Sequence, residues 1–142
     1  PFVEIAKELE ISDATVHMRV KRMLASGTIR RFTIAIDSSL LGYSHVAFMG
    51  INIKLGCTDE IAGVLSRQEE ILEIHEMHGR FDLLLKIRAR SLEEMREIIV
   101  NKIRHLPQIT EAELMTVLRT IKEEQSVSLK KAIADRTSAA AT

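Results

Sequence analysis

Apolar residues recur along this chain with two rhythms, and the switch between them divides it. Phe2, Ile5, Ala6 and Leu9 fall at i, i+3, i+4 and i+7, the stripe of a short amphipathic helix. After Glu10 and Ile11 a second helical stripe follows, carried by Val16, Val20, Met23 and Leu24. Ser12 is positioned to cap this helix through its hydroxyl, Asp13 puts negative charge where the helix dipole favours it, and Gly27 stops it. Thr15, His17, Met18, Lys21 and Arg22 fall off the packed stripe. Ile29, Phe32 and Ile34 then alternate with Arg30 and Thr33, which predicts a short basic strand. The pattern over residues 1–32 is that of a winged helix-turn-helix.

Residues 33–43 read as a short strand and a turn built on Asp37, Ser38, Ser39 and Gly42, the natural linker. From Ser44 the period becomes that of strands: Ser44–Leu55, then a helix capped by Thr58 and running to about Arg67, then a strand over Ile71–His78. Gly79 and Arg80 form a tight connection to a strand over Phe81–Ala89, in which Phe81, Leu83, Leu85 and Ile87 alternate with Asp82, Lys86 and Arg88. Ser91 and Glu94 have the spacing of a capping box ahead of a helix whose buried side is Met95, Ile98, Ile99, Ile103 and Leu106. Pro107 ends it, and a fourth strand spans about Thr110–Ile121. The order β-α-β-β-α-β over residues 44–124 is ferredoxin-like, so the fold class is α+β, with a C-terminal extension over 125–142. Within that extension SVSLKKAIADR has the pattern of a short amphipathic helix, and the last six residues have neither periodicity nor bulk.

That topology puts both helices on one side of the sheet. In the first strand both alternating sets are apolar, Val46 and Phe48 against Ala47, Met49, Ile51 and Ile53, so one face is expected to be bare in a monomer and to pair in a homodimer.

Charge sharpens the reading of the first helices. The whole chain carries 20 basic and 20 acidic residues, whereas Ser12–Phe32 holds Arg19, Lys21, Arg22, Arg30 and Arg31 against Asp13 alone. A local cationic cluster is what meets DNA phosphates. At 142 residues and 46% hydrophobic the chain supports one small module beside one modest domain. No apolar run approaches about 18 residues and no signal-peptide pattern is present, so a cytoplasmic protein with no membrane partner is expected. The single cysteine, Cys57, excludes an intrachain disulfide and a cysteine-cluster metal site, and is expected at a loop or helix cap.

The run IAKELEISDATVHMRVKRMLASGTIRRFTIAIDSSLLGY resembles the N-terminal half of the Lrp/AsnC family, the feast/famine transcription regulators. The matching positions are Ser12, Thr15, Val16, Arg19, Val20, Leu24, Gly27, Ile29, Asp37, Leu41 and Gly42. The resemblance implies double-stranded DNA as a partner. Thr15, His17, Met18 and Arg22 would face the groove and Lys21, Arg30 and Arg31 would meet phosphate; Ser12 and Arg19 complete the expected DNA-binding set. Family members carry a further helix ahead of Phe2 that would bury Phe2, Ile5 and Val16. This sequence starts at Pro1, so either a stretch is missing from it or the DNA-binding half is shortened.

The second half resembles the family's amino-acid-sensing domain, whose dimers gather into tetramers, octamers or larger rings. Gly79-Arg80-Phe81-Asp82 matches its Gly-x-x-Asp motif. A glycine lets backbone amides approach a ligand carboxylate, and Asp82 can pair with an amino group. Carried over, the effector site is His78, Gly79, Arg80, Phe81 and Asp82, with Thr116, and the effector is an amino acid held between dimers. Relatives have Thr or Ser where His78 stands. His75 and His78 are read as pointing to opposite faces of a strand, which with His105 gives no metal site. No paired carboxylates suit hydrolysis, and no cofactor is implied.

Two other readings stand beside the regulator. One is a stand-alone amino-acid-sensing module that no longer binds DNA, against which the retained basic residues argue. The other is an enzyme, since some tetrapyrrole decarboxylases resemble the family; they lean on tyrosine-rich segments, whereas Tyr43 is the only tyrosine here and there is no tryptophan. The chain is therefore read as a non-enzyme.

Overall fold

A computed structural model describes residues 2–124 and Leu129, so the extension expected over 125–142 lies, apart from Leu129, outside the described residues. The chain divides into two units, one ending at Asp37 and one beginning at Ser38.

In the first unit, helix α1 (Phe2–Glu8) and helix α2 (Asp13–Ala25) pack through Ala6 and Val16, each 3% exposed. The turn between them is tight because Ile11 N–H donates to Ala6 O (3.0 Å) and Glu10 N–H to Lys7 O (3.3 Å), the Schellman closure of a helix end. Glu10 takes the left-handed position of that motif, φ 53°, where glycine is the usual occupant. Ser12 caps α2 as expected, accepting from Thr15 N–H at 3.2 Å, and Gly27 follows its end with φ 74°. Three expectations are corrected. Val16 is buried by α1 alone. Thr15 is half-buried rather than free, its hydroxyl 2.9 Å from that of Ser12. The basic strand over 29–34 and its continuation to 37 are absent, because a strand needs a ladder partner and none of the described residues supplies one.

In the second unit a 3₁₀ turn (Ser38–Leu41) leads to β1 (His45–Ile53), α3 (Thr58–Leu65), β2 (Ile71–Glu76), β3 (Leu83–Ala89), α4 (Leu92–Glu97) and β4 (Ile109–Thr116). The helix begun by α4 widens into π turns over Ile98–Arg104. All neighbouring strands are antiparallel and their order is β2-β3-β1-β4, the ferredoxin-like arrangement. Ala47, Met49, Ile51, Leu83, Leu85 and Ile87 face the helices and bury Ile61, Leu65, Met95, Ile98, Ile99 and Ile103 with them. Leu106, expected in that core, is half-buried at its margin. α3 is capped by Cys57 rather than Thr58, with no side-chain bond. The capping box of α4 is half made: Ser91 accepts from Glu94 N–H (3.0 Å), but Glu94 accepts from the backbone of Arg90 (2.5 Å) instead of Ser91.

The opposite sheet face is less bare than β1 alone suggested. Val46 and Phe48 are half-buried on it, yet Glu73, His75, Lys86, Arg88, Glu111 and Glu113 share it, as the register requires. The chain beyond β4 also returns along it: Val117 N–H donates to Val46 O at 2.9 Å, and Glu123 pairs with Lys86 and, at 3.3 Å, with Arg88. Alternation within one strand cannot report what a later segment lays across it.

Candidate functional site

The hairpin between β2 and β3, residues 77–82, is fastened to the sheet by its own side chains. Met77 N–H donates to Asp82 O (2.8 Å), closing the loop, and Asp82 N–H donates to Ile51 O (3.0 Å) and Asn52 Oδ1 (3.1 Å). The Asp82 carboxylate accepts from Ile53 N–H through Oδ2 at 2.7 Å, at the point where the β1–β4 register shifts and a backbone donor becomes free. Asp82 therefore anchors the hairpin before it meets any ligand, and Oδ1 has no hydrogen bond among the described residues. Arg80 reaches across to β4, 2.5 Å from Glu113 and 3.7 Å from Glu111, while Glu111 accepts from Asn52 Nδ2 at 2.9 Å. The Arg80 guanidinium also lies 4.9 Å from the centre of the Phe81 ring.

Phe81 rests on Gly50, in the middle of β1. A methyl group at Gly50 would fall 2.3–2.5 Å from three ring carbons, so the bare backbone there is what lets the ring lie flat on the sheet. Gly79 is different: a side chain there would meet open space, and its φ is not in the left-handed range, so nothing within the chain requires a glycine. His78 is exposed in the loop, beyond the end of β2, which replaces the opposite-faces argument for His75 and His78. His75 instead sits 3.1 Å from Glu73. Thr116 pairs with Ala47, on the helix-facing side and toward the far end of β4, so the register does not bring it to the hairpin. Gly50, Asn52, Glu111 and Glu113 belong to this constellation and were not expected from the sequence. They come from strands distant in sequence, and only the register of β1 against β3 and β4 aligns them. Among the described residues no group of three His, Cys, Asp or Glu could hold a metal ion.

Of the residues expected at DNA, Met18, Lys21 and Arg22 occupy one exposed stripe of α2, since i, i+3 and i+4 are neighbours on a helix. Arg30 and Arg31 are exposed on the chain that follows α2. His17 is turned aside, its ring edge-on to Phe2 at 4.7 Å. Arg19 and Arg22 flank an apolar cleft lined by Ile5, Leu9, Ile11, Val16 and Met23. Ser12 is committed to the cap.

Four carboxyls of the second unit are held below their ordinary value of 4.5, among them Glu94, lowered chiefly by the hydrogen bond from Arg90. Glu70 is lowered chiefly by the hydrogen bond from Lys102 (2.6 Å), Glu73 by hydrogen bonds from His75 and Lys86, and Glu123 by that from Lys86. Lys86 is raised above 10.5, chiefly by Glu123. A carboxyl lowered on folding adds stability that is complete above about 4.5 and lost as pH falls through its folded value; raised Lys86 adds stability that is complete below 10.5 and lost as pH rises through its folded value. Melting temperature is thus expected to hold between pH 5 and 9 and to fall below about 4.5, and Lys86→Met should lessen that fall; an unchanged acid limb in the variant would remove Lys86 as its partner.

A four-stranded antiparallel sheet with two helices on one face defines the second unit as an α+β, ferredoxin-like domain. The chain overlays the structure of Escherichia coli AsnC with a TM-score of 0.81 at 26% identity, over 88% of this chain and 85% of that one. The chain belongs to the Lrp/AsnC family: the model of the Lrp/AsnC ligand binding domain matches residues 46–127, more than half of its length. It is 36% identical to the HTH-type transcriptional regulator FL11 of Pyrococcus abyssi over 130 residues, 92% of this chain and 85% of the relative. A transcriptional regulator of Neisseria meningitidis solved as an L-Met complex has the same fold, with a TM-score of 0.84 at 18% identity over 93% of this chain and 87% of that one. Its relatives are thus transcription regulators, and among the described residues no helix is long and apolar enough to cross a membrane.

Proposed function

We propose that the chain is a sequence-specific DNA-binding transcription regulator whose activity is modulated by an amino acid bound at the hairpin between dimers. The observation that carries this is the pairing of its cations. Arg19, Lys21, Arg22, Arg30 and Arg31 are exposed, and none of them is in an ion pair among the described residues. In the second unit Arg80, Lys86, Arg88, Arg90, Arg96 and Lys102 are ion-paired, and Lys54, Arg67, Arg104, Arg119 and Lys122, which among the described residues are not, are scattered along the chain, so what sets the first unit apart is five unpaired cations between Arg19 and Arg31. An unpaired surface cation is available to a phosphate, and a helix of α2's length fits the major groove with Met18 and Arg22 toward base edges. The direct test is fluorescence anisotropy with the DNA upstream of the chain's own gene, read against a scrambled duplex. Specific binding with a steep salt dependence is expected; equal affinity for both duplexes would overturn the reading.

For the effector, support comes from Gly79, whose missing side chain nothing in the chain explains, and from the L-Met bound to the Neisseria regulator of the same fold. A ligand that binds only the folded state raises its melting temperature, so screening the twenty amino acids should yield a stabilising hit. Gly79→Ala is expected to leave the ligand-free melting temperature within about 2 °C and to weaken that hit at least about tenfold, because a methyl group would stand where the ligand approaches. Undiminished binding in the variant would exclude close approach at Gly79.

Val46, Phe48 and Met115 give the free sheet face an apolar patch suited to a second copy. Light scattering at micromolar concentration is expected to give a dimer or a multiple of it, and a stable monomer would remove sheet-to-sheet pairing. Effector binding between dimers would then favour one assembly or spacing of the α2 helices over another.

A further inference from the structure

Arg30 and Arg31 sit between two fastenings. On the near side the main chain is tied to α2: Ile29 N–H donates to Met23 O at 3.0 Å and Gly27 N–H to Leu24 O at 3.1 Å, with the hydroxyls of Ser26 and Thr28 paired at 2.9 Å. On the far side, among the described residues, no backbone hydrogen bond leads from residues 30–36 back to the helices. The tie there is a ring. Phe32 lies 6.4 Å from Phe2 of α1, centre to centre, with the two planes inclined at 58°. Phe2 is held in turn from α2, where the His17 ring stands 4.7 Å away and almost perpendicular to it.

One phenylalanine therefore joins three pieces of chain: α1, α2 and the segment that follows α2. Tilted and edge-to-face rings attract beyond the apolar area they cover, because a ring is positive at its edge and negative on its face. Phe32 is 65% exposed, so burial of its area contributes little and the contact with Phe2 is what gives the ring a seat. The apolar residue at 32, expected as one beat of a strand, meets a ring instead of a ladder. Consecutive Cα atoms are about 3.8 Å apart, so a seated Phe32 keeps the backbone of Arg31 within about 4 Å of its own Cα and that of Arg30 within about 7 Å.

We infer that Phe32 is a positioning residue for DNA binding: seated on Phe2, it holds Arg30 and Arg31 beside the helix pair, so both guanidiniums are in place before a duplex arrives. The inference rests on the DNA-binding reading above. An untethered segment loses its backbone freedom when it meets phosphate, and the loss is subtracted from affinity; a tethered segment has lost it already on folding.

Anisotropy titrations of the full chain on the DNA upstream of its own gene test this. Phe32→Ala removes no charge, yet it should weaken specific binding about three- to tenfold, whereas Phe32→Tyr keeps the ring and should keep the affinity. Once Arg30 and Arg31 are both alanine, Phe32→Ala should have no further effect, because nothing is left to place. Trypsin supplies a readout that needs no DNA: cleavage after Arg30 and Arg31, followed by mass spectrometry, should be at least about threefold faster in Phe32→Ala, with the circular dichroism melt retained. Wild-type affinity or wild-type cleavage in Phe32→Ala would overturn the inference. So would an equal loss of affinity with and without the two arginines, which would give the ring a DNA contact of its own. A wild-type chain that bound a scrambled duplex equally well would instead defeat the DNA-binding reading, and the trypsin comparison would still decide whether the ring holds the segment.

Discussion

Changing Arg22, Arg30 and Arg31 together to alanine is expected to lower affinity for operator DNA by about a hundredfold or more at physiological salt and to leave the fold intact. All three side chains are exposed and, among the described residues, without ion-pair partners, so their removal breaks no salt bridge and costs at most the packing of the Arg22 stem beside the cleft. Surface changes of this kind usually alter stability by less than about 0.5 kcal/mol. If Arg30 and Arg31 meet phosphate, a dimer loses four such contacts, and the slope of log affinity against log salt should become shallower by roughly 3.6. Arg22, in the stripe shared with Met18 and Lys21, should add a loss confined to one base position, about 1–3 kcal/mol. Anisotropy titrations at several salt concentrations separate the two effects. Wild-type affinity in the triple variant would remove α2 and the chain after it from the DNA interface, and the stand-alone sensing module would then be the better reading.

The second large effect is expected from the smallest change, Gly50→Ala. Its new methyl group would lie 2.3–2.5 Å from the Phe81 ring, closer than real side-chain carbons approach one another, and the opposing wall is the sheet backbone itself. The ring must leave, and with it go the Arg80 stacking contact and the seat of the hairpin. Overpacking of this sort costs about 1–3 kcal/mol. For a unit of this size that corresponds to a fall of roughly 5–15 °C in melting temperature. The cause is isolated by a double-mutant cycle: once Phe81 is alanine, Gly50→Ala should be neutral or slightly stabilising, because alanine restricts the unfolded chain more than glycine does. If Gly50→Ala cost the same with and without the ring, the close approach would not be what constrains Gly50. The effector hit should weaken with the hairpin's displacement, which ties position 50 to sensing although it lies 31 residues before Phe81.

Much of this molecule could be read from its sequence, and the successes share a cause. The caps at Ser12 and Ser91, the stop at Gly27, the alternation of Leu83, Leu85 and Ile87 and the order of the second unit's elements are local or periodic properties. A cap needs only its own first turn, and a buried face needs only the right period. The misreadings share a cause as well. The alternation of Ile29, Phe32 and Ile34 is genuine, but no described segment pairs with it, so it forms no strand. Thr116 was expected beside the hairpin from the resemblance, and the register places it beside Ala47 on the helix-facing side, away from the hairpin of its own chain. Asp82 was expected to pair with an amino group, and what the sequence did not show is that the bulge in β1 also gives its carboxylate a backbone donor through Oδ2.

The candidate hairpin was therefore half legible. Gly79-Arg80-Phe81-Asp82 is contiguous and stands out as a motif, but its supports are not contiguous: Gly50 and Asn52 come from β1, and Glu111 and Glu113 from β4. By itself, the chain determined which segments become helices and strands, which side of each is apolar, and where positive charge gathers without acids nearby, because each follows from residues within a few turns of one another. Only the tertiary structure decided that a bare glycine lies beneath a ring and that two glutamates hold one arginine. Those depend on strand order and register, which are set by the packing of the whole sheet against its helices and leave no periodic trace in the order of residues.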